Sequence, residues 1–269
     1  ATMIRFLLNG EVAGTEIPGG TVVLDLLRRE RRLTGTKEGC REGDCGACTV
    51  LLGEPWNGGI TYRAVNSCLL PVAELPGRHL VTIEGLNGHQ LSPVQQAIVE
   101  EGATQCGFCT PGIVVALTGY LLAGDPLSVE GAHAAIAGNI CRCTGYLSIR
   151  RAVDRLLGCI GEPPPPGRDR VAALVGAGVL PTFFLSAPAD LVALSVAAPS
   201  DATGTLVAGG TDLFVQRPDE LRDAKLRLLG REAGTREIRR AGDTVRIGGA
   251  ATVEDLAQCP TMRECFPEF

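Results

Sequence analysis

Three features of the sequence predict an α+β chain of several domains. The β-rich run Met3 to Leu8 breaks at Asn9-Gly10, the strongest two-residue hairpin signal. From Ser92 onward the apolar spacing becomes helical. Four consecutive prolines at 163–166 then separate this half from a region of alternating short apolar runs. The 269 residues, 45% hydrophobic, suffice for two or three domains with cores of their own.

In residues 1–88 the hairpin pairs the first run with a second strand over Glu11 to Ile17. Thr21 is placed to N-cap a helix with Val22, Val23, Leu26 and Leu27 on one face. Arg28, Arg29 and Arg31 fall towards its end, where the macrodipole favours cations. Further strands are predicted at 49–52, 61–65 and 80–84, the first two joined by a turn at Trp56-Asn57-Gly58-Gly59. A hairpin, a crossing helix and returning strands around a loop of cysteines make a β-grasp, ferredoxin-like domain.

That loop, CREGDCGAC, carries Cys40, Cys45 and Cys48. Gly39, Gly43 and Gly46 make a tight wrap cheap, because glycine takes positive φ and leaves backbone N–H groups free to face anionic sulfur. Cys68 follows after nineteen intervening residues, completing C-x4-C-x2-C and a distant cysteine. This is plant-type ferredoxin spacing for a [2Fe–2S] cluster. A four-cysteine zinc site and buried structural thiols are the alternatives that spacing leaves open. Lys37, Glu38, Arg41, Glu42 and Asp44 flank the loop and read as a solvated face.

Residues 89–160 read as a four-helix bundle. Ser92-Pro93 and Thr110-Pro111 each set an N-cap hydroxyl before a proline suited to the first helical position, so helices start at 93 and 111. The second carries Ile113, Val114, Leu117, Leu121 and Leu122 and stops at Gly124-Asp125-Pro126. Ser128 caps a third, closed by Gly138, and a fourth runs from Leu147 to Leu157 before Gly158. Cys106 and Cys109 follow the first helix, and Cys141 and Cys143 follow the third, so four thiols can meet at one end of the bundle. Zinc stays open here too, although the first set favours a second iron–sulfur cluster.

Residues 161–180 form a proline-rich linker, and 181–269 a further domain or part of one. Within it LVAGGTDL, from Leu206, reads as a buried strand, a glycine turn and a helix. Over Val207, Ala208, Gly209, Gly210, Thr211, Asp212 and Leu213, the paired glycines can turn consecutive N–H groups towards a phosphate, with Thr211 as a further donor. Asp212 would brace the turn through backbone N–H groups rather than meet phosphate directly. A plain turn is the alternative.

A net charge of −5 and the lack of basic runs exclude nucleic acid as a partner. No secretory h-region opens the sequence and no long apolar run follows, so the expectation is a soluble cytoplasmic protein with no membrane partner. Eleven cysteines in a reducing compartment point to metal rather than disulfides. Eight fall into the two sets, leaving Cys159, Cys259 and Cys265 as ordinary thiols. His79, His89 and His133 lie too far apart for a ligand pattern and read as surface or core. No Ser/His/Asp or paired-carboxylate arrangement stands out, so no catalytic residue is assigned.

Together GTKEGCREGDCGACTV (35–50), QCGFCTPGIV (105–114) and GNICRCTGY (138–146) resemble the iron–sulfur part of the molybdenum hydroxylases, the xanthine dehydrogenase and aldehyde oxidase family. The likeness covers about residues 3 to 158, and LVAGGTDL with IGGAATVEDL (247–256) looks like the start of that family's flavin domain. It implies two [2Fe–2S] clusters, FAD cradled at Val207 to Leu213, and a molybdopterin cofactor on a large partner subunit. Gln105 and Cys143 match family positions that touch the pterin. Electrons would then enter at the 106/109/141/143 cluster, pass to the 40/45/48/68 cluster, and leave through FAD to NAD or oxygen. The family's next flavin-contacting stretch is not found before Phe269, so a further segment or chain is expected to complete the flavin pocket.

Overall fold

The computed structural model describes residues 3–267 except residues 57, 89, 125, 195–202 and 233; His89 therefore lies outside the described residues. The chain opens with β1 (Ile4–Leu8) and β2 (Glu11–Thr15), an antiparallel hairpin turned by Asn9 at φ 54°. β3 (Thr49–Trp56), β4 (Gly59–Asn66) and β5 (His79–Val81) complete a sheet of order β2-β1-β5-β3-β4, in which only β1 and β5 run parallel. α1 (Val23–Asp25) runs on into a π-helical turn, Leu26–Glu30. It buries Val23, Leu26 and Leu27 against Phe6, Val50, Leu52 and Leu80 of the sheet. That is the β-grasp layer.

Two local expectations shift. Thr21 does not cap the helix: Val22 stays extended, bridged to Pro71, so the helix starts one residue later. The strand expected at 80–84 ends at Val81, and Ile83–Leu86 forms α2. The cause is Asn9, whose side chain accepts from the Thr82 N–H at 2.9 Å and donates to the Thr82 hydroxyl at 3.3 Å, diverting the backbone from the ladder.

The bundle comprises α3 (Pro93–Glu100), α4 (Thr110–Ala123), α5 (Val129–Ala135) and α6 (Leu147–Ile160). Ser92 accepts from the Gln95 N–H while Gln95 returns a bond to the Ser92 N–H, a reciprocal cap. Ser128 caps α5 through the Gly131 N–H. α4 is apolar nearly all round and buried, as such helices must be. It packs on the sheet at Gly119, where a Cβ would stand 2.9 Å from Leu51 and 3.4 Å from Ala64. Bundle and sheet therefore share a core that includes Leu51, Tyr62, Val114 and Leu117.

Beyond the prolines the linker stretch holds a helix of its own, α7 (Arg168–Gly176), followed by α8 (Phe183–Leu194). Arg170, 1% exposed, anchors this segment by donating to the carbonyls of Pro164 and Gly124. α8 sets Ala187, Leu191 and Leu194 against Leu7. Next come β6 (Thr205–Val207), α9 (Thr211–Gln216), α10 (Pro218–Asp223) and β7 (Leu226–Leu228), with β6 and β7 parallel. A hairpin of β8 (Ile238–Ala241) and β9 (Thr244–Ile247) leads to α11 (Val253–Gln258) and α12 (Pro260–Cys265). β6 is not buried throughout, as its sequence suggested: Leu206 is 55% exposed and only Val207 is enclosed, because this two-stranded sheet is covered on one face. Among the described residues no helix is long and apolar enough to cross a membrane.

Candidate metal centres

The first cysteine set sits on a loop shaped by its glycines. Gly43 and Gly46 have φ of 82° and 66°, and a Cβ on Gly39 would lie 2.8 Å from the Cys45 sulfur. Arg41 adopts a left-handed φ of 61° without being glycine. Its guanidinium is held by Asp25 at 2.5 Å and Glu38 at 2.7 Å, so it is a clasp between loop and helix and not part of a freely solvated face. Burial pushes the Cys40 thiol up, but the N–H groups of Glu42, Cys45 and Asp44 and the Cys45 thiol outweigh it and bring it below its ordinary value. The Glu42 N–H lies 3.4 Å from the Cys40 sulfur.

Cys48 and Cys68 are buried side by side at the start of β3 and just past β4. Ser67 fixes them there, its N–H and hydroxyl both donating to the Cys48 carbonyl, at 3.3 and 2.8 Å. The hydrogen bond between the two thiols lowers Cys48 to about 6 and raises Cys68. Asn66 ties the strand end to the loop by donating to the Gly43 carbonyl at 2.6 Å.

The second set lies where two helices begin rather than where they end. Cys109 is the N-cap residue of α4, and Cys141 and Cys143 lie in the loop that precedes α6. Burial pushes the Cys109 thiol up to about 11. For Cys141 burial acts the same way but is outweighed by the Thr144 hydroxyl and the N–H groups of Thr144 and Cys143, leaving the thiol below its ordinary value. The Phe108 N–H lowers Cys106, and the Cys106 side chain raises Cys143. Cys106, Cys143 and Gln105 are exposed, whereas Cys109 and Cys141 are buried.

Within each set the thiols interact most strongly in pairs, Cys40 with Cys45 and Cys48 with Cys68, then Cys106 with Cys143 and Cys109 with Cys141, and charge interactions link the pairs, Cys40 to Cys68 and Cys106 to Cys141. Among the described residues no three His, Cys, Asp or Glu side chains converge on one point as a single-ion site requires. Two pairs per set are what a two-iron cluster needs, each iron taking two thiolates, so the donors fit a [2Fe–2S] group. All eleven cysteines are free thiols; Cys159 is exposed, and Cys259 and Cys265 are half-buried at the two ends of α12.

The loops of the two sets meet. The Ile140 N–H, next to Cys141, donates to the Cys45 carbonyl at 3.0 Å. The buried Asn139 side chain donates to the Gly46 carbonyl at 2.9 Å, and Gly112 lies so close that a Cβ would stand 2.3 Å from the same oxygen. Sequence reading passed over Asn139; its place two residues before Cys141, in a run without helical period, was the only available sign.

At the other end, Gly210 turns left-handed at φ 84° and starts α9, while no atom lies within 4 Å of a Cβ built on Gly209. The strand, glycine turn and helix read from LVAGGTDL are thus present. Asp212 is exposed and, among the described residues, makes no hydrogen bond that braces the turn. Val207, Phe214, Leu221 and Leu228 share an apolar cluster with Val22, Leu24, Cys48 and Cys68, so this segment sits against the first cysteine set. His79 is a core residue.

Residues 6–72 match the family model described as "2Fe-2S iron-sulfur cluster binding domain", and residues 82–154 match "[2Fe-2S] binding domain". Fold and cysteine geometry therefore define a protein with two [2Fe–2S]-binding domains, one on a β-grasp sheet and one on a helical bundle. Xanthine dehydrogenase of Blastobotrys adeninivorans is 40% identical over 189 residues, covering 65% of this chain and 13% of its own length. Aldehyde oxidase 1 of Rattus norvegicus is 41% identical over 151 residues, 54% of this chain and 11% of its own. Among solved structures, quinoline 2-oxidoreductase from Pseudomonas putida 86 superposes with TM-score 0.51 at 32% identity, covering 59% of this chain and 94% of that one. Aldehyde oxidoreductase from Desulfovibrio gigas gives TM-score 0.52 at 28% identity over 74% of this chain and 23% of that one. The chain belongs to the molybdenum hydroxylase family of xanthine dehydrogenase and aldehyde oxidase, of which it carries the iron–sulfur part. It spans about an eighth of the length of those two curated relatives.

Proposed function

We propose that this chain is the electron-transfer component of a molybdenum hydroxylase, with Cys40, Cys45, Cys48 and Cys68 holding one [2Fe–2S] cluster and Cys106, Cys109, Cys141 and Cys143 the other. When bound, the clusters supply one-electron relay between a molybdopterin centre on a large partner subunit and FAD, with NAD or oxygen as final acceptor. The residues of this chain hold the thiolates in pairs, point backbone N–H groups at them, and exclude water from Cys48, Cys68, Cys109 and Cys141. The observation that carries the reading is the contact between the two cysteine loops, through hydrogen bonds from Ile140 to Cys45 and from Asn139 to Gly46, which supports two centres lying side by side.

The exposed edge formed by Gln105, Cys106 and Cys143 faces the molybdopterin on this reading. Cys48 and Cys68 face the flavin, because they pack with Val207. Val207 to Leu213 bind the FAD pyrophosphate, with the open space over Gly209 as the approach. The domains run 1–88, 89–160 and 181–269, with 161–180 between them, in a cytoplasmic enzyme whose hydroxylation site is on the partner. Cys109→Ser tests the ligand sets: one reduced paramagnetic signal is lost and the other kept, whereas loss of both from folded protein refutes two separate sites. Gly209→Val tests the flavin turn in the assembled enzyme: FAD content falls while iron is unchanged, and undiminished FAD refutes the assignment.

A further inference from the structure

Thr144 stands where it can act on the electrons of the second centre. Its Oγ1 lies 3.1 Å from the Cys141 sulfur and receives the Tyr146 N–H at 3.2 Å. The Tyr146 hydroxyl in turn accepts the Cys141 N–H at 2.9 Å, so residues 141–146 close into a ring. Tyr146 holds a left-handed φ of 68°, and Gly145 before it 64°. A bulky residue does not adopt that conformation freely, so the ring's own bonds must hold it there.

The direction of the Thr144–Cys141 bond follows from elementary chemistry. A backbone N–H can only donate, so Tyr146 occupies a lone pair of Oγ1 and leaves the hydroxyl hydrogen free. A metal-bound cysteine is a thiolate and has no proton to give. The hydroxyl therefore donates to sulfur. Reduction adds negative charge to a cluster, so a donor aimed at a ligand sulfur favours the reduced form and raises the reduction potential.

We infer that Thr144 is a positioning residue whose hydroxyl hydrogen bond to Cys141 raises the potential of the cluster bound by Cys106, Cys109, Cys141 and Cys143. This rests on the ligand assignment proposed above. The test is a redox titration of the cluster-loaded protein, followed by the two reduced paramagnetic signals, in the wild type, Thr144→Val, Thr144→Ala and Thr144→Ser.

Valine and alanine both remove the donor, and each should favour oxidation of one cluster about tenfold, a fall of about 59 mV for one electron. Serine should keep the wild-type value, and the other cluster should not move in any variant. Either donor-free variant suffices if the other does not fold. An unchanged potential in a donor-free variant, or a fall with serine equal to that with valine, overturns the inference while leaving the ligand assignment intact. Iron content and signal number report separately on that assignment: a wild type with one signal refutes it.

Discussion

His79 gives the fold a built-in acid sensitivity whose size can be worked out. Its ring is fully buried between Tyr62 and the stacked pair Phe183 and Phe184. Nε2 lies 2.6 Å from the Asn9 carbonyl, which can only accept, so Nε2 carries the proton. Nδ1 then accepts from the Tyr62 hydroxyl at 2.7 Å. Burial holds the imidazole down at about 4, against 6.5 for an ordinary histidine, although the Asn9 carbonyl and Asp190 pull the other way. Well above 6.5 the ring is neutral in both folded and unfolded chains, and the contribution to stability is complete. Between 6.5 and about 4 the unfolded chain takes up a proton that the fold refuses, so stability falls as pH falls; below about 4 the loss levels off. The whole effect is on the order of 3 kcal/mol, with about 2 kcal/mol lost between pH 7 and pH 5. The perturbation is His79→Gln, which keeps a donor for Asn9 and an acceptor for Tyr62 but does not titrate. Urea unfolding of cluster-loaded wild type and variant at the two pH values isolates the term, since acid effects on cysteines and clusters are common to both and cancel in the comparison. The variant starts less stable at pH 7, having lost ring contacts, but loses about 2 kcal/mol less on acidification. Parallel losses in the two proteins would refute the reasoning.

Two further outcomes follow from the metal-centre geometry. Gly46→Ala puts a Cβ 2.5 Å from both the Gly138 carbonyl and the Asn139 amide at φ 66°. Left-handed strain of ~1–2 kcal/mol and a displaced hydrogen bond of ~1 kcal/mol should together lower stability by about 2–3 kcal/mol, and a melting temperature equal to the wild type's would contradict this. Alanine at Cys159, Cys259 and Cys265 together should leave iron content unchanged; a drop by one cluster's iron would show that the ligand sets are misassigned.

What the sequence determined by itself is what short-range chemistry controls. Ser92 and Ser128 announce helix starts because a capping hydroxyl acts within one turn, and α3 and α5 begin directly after them. At Thr110-Pro111 only the proline signal holds: α4 begins at Thr110 itself, Cys109 takes the N-cap place without a side-chain bond, and the Thr110 hydroxyl pairs with that of Thr104. The cysteine spacings and the glycines between them are equally local, and Gly43 and Gly46 take the positive φ that the wrap needs. Where a distant partner intervenes, local reading fails: Pro71 delays the first helix past Thr21, and Asn9 turns the chain out of its strand at Thr82. Only the tertiary structure decides which thiols pair, because Cys48 meets Cys68 and Cys106 meets Cys143 across long stretches of chain. It alone joins Asn139 to Gly46 and Ile140 to Cys45, and seats Cys48 and Cys68 against Val207. Those contacts are fixed by apolar burial and by the need of buried polar groups for partners, conditions that no window of sequence contains.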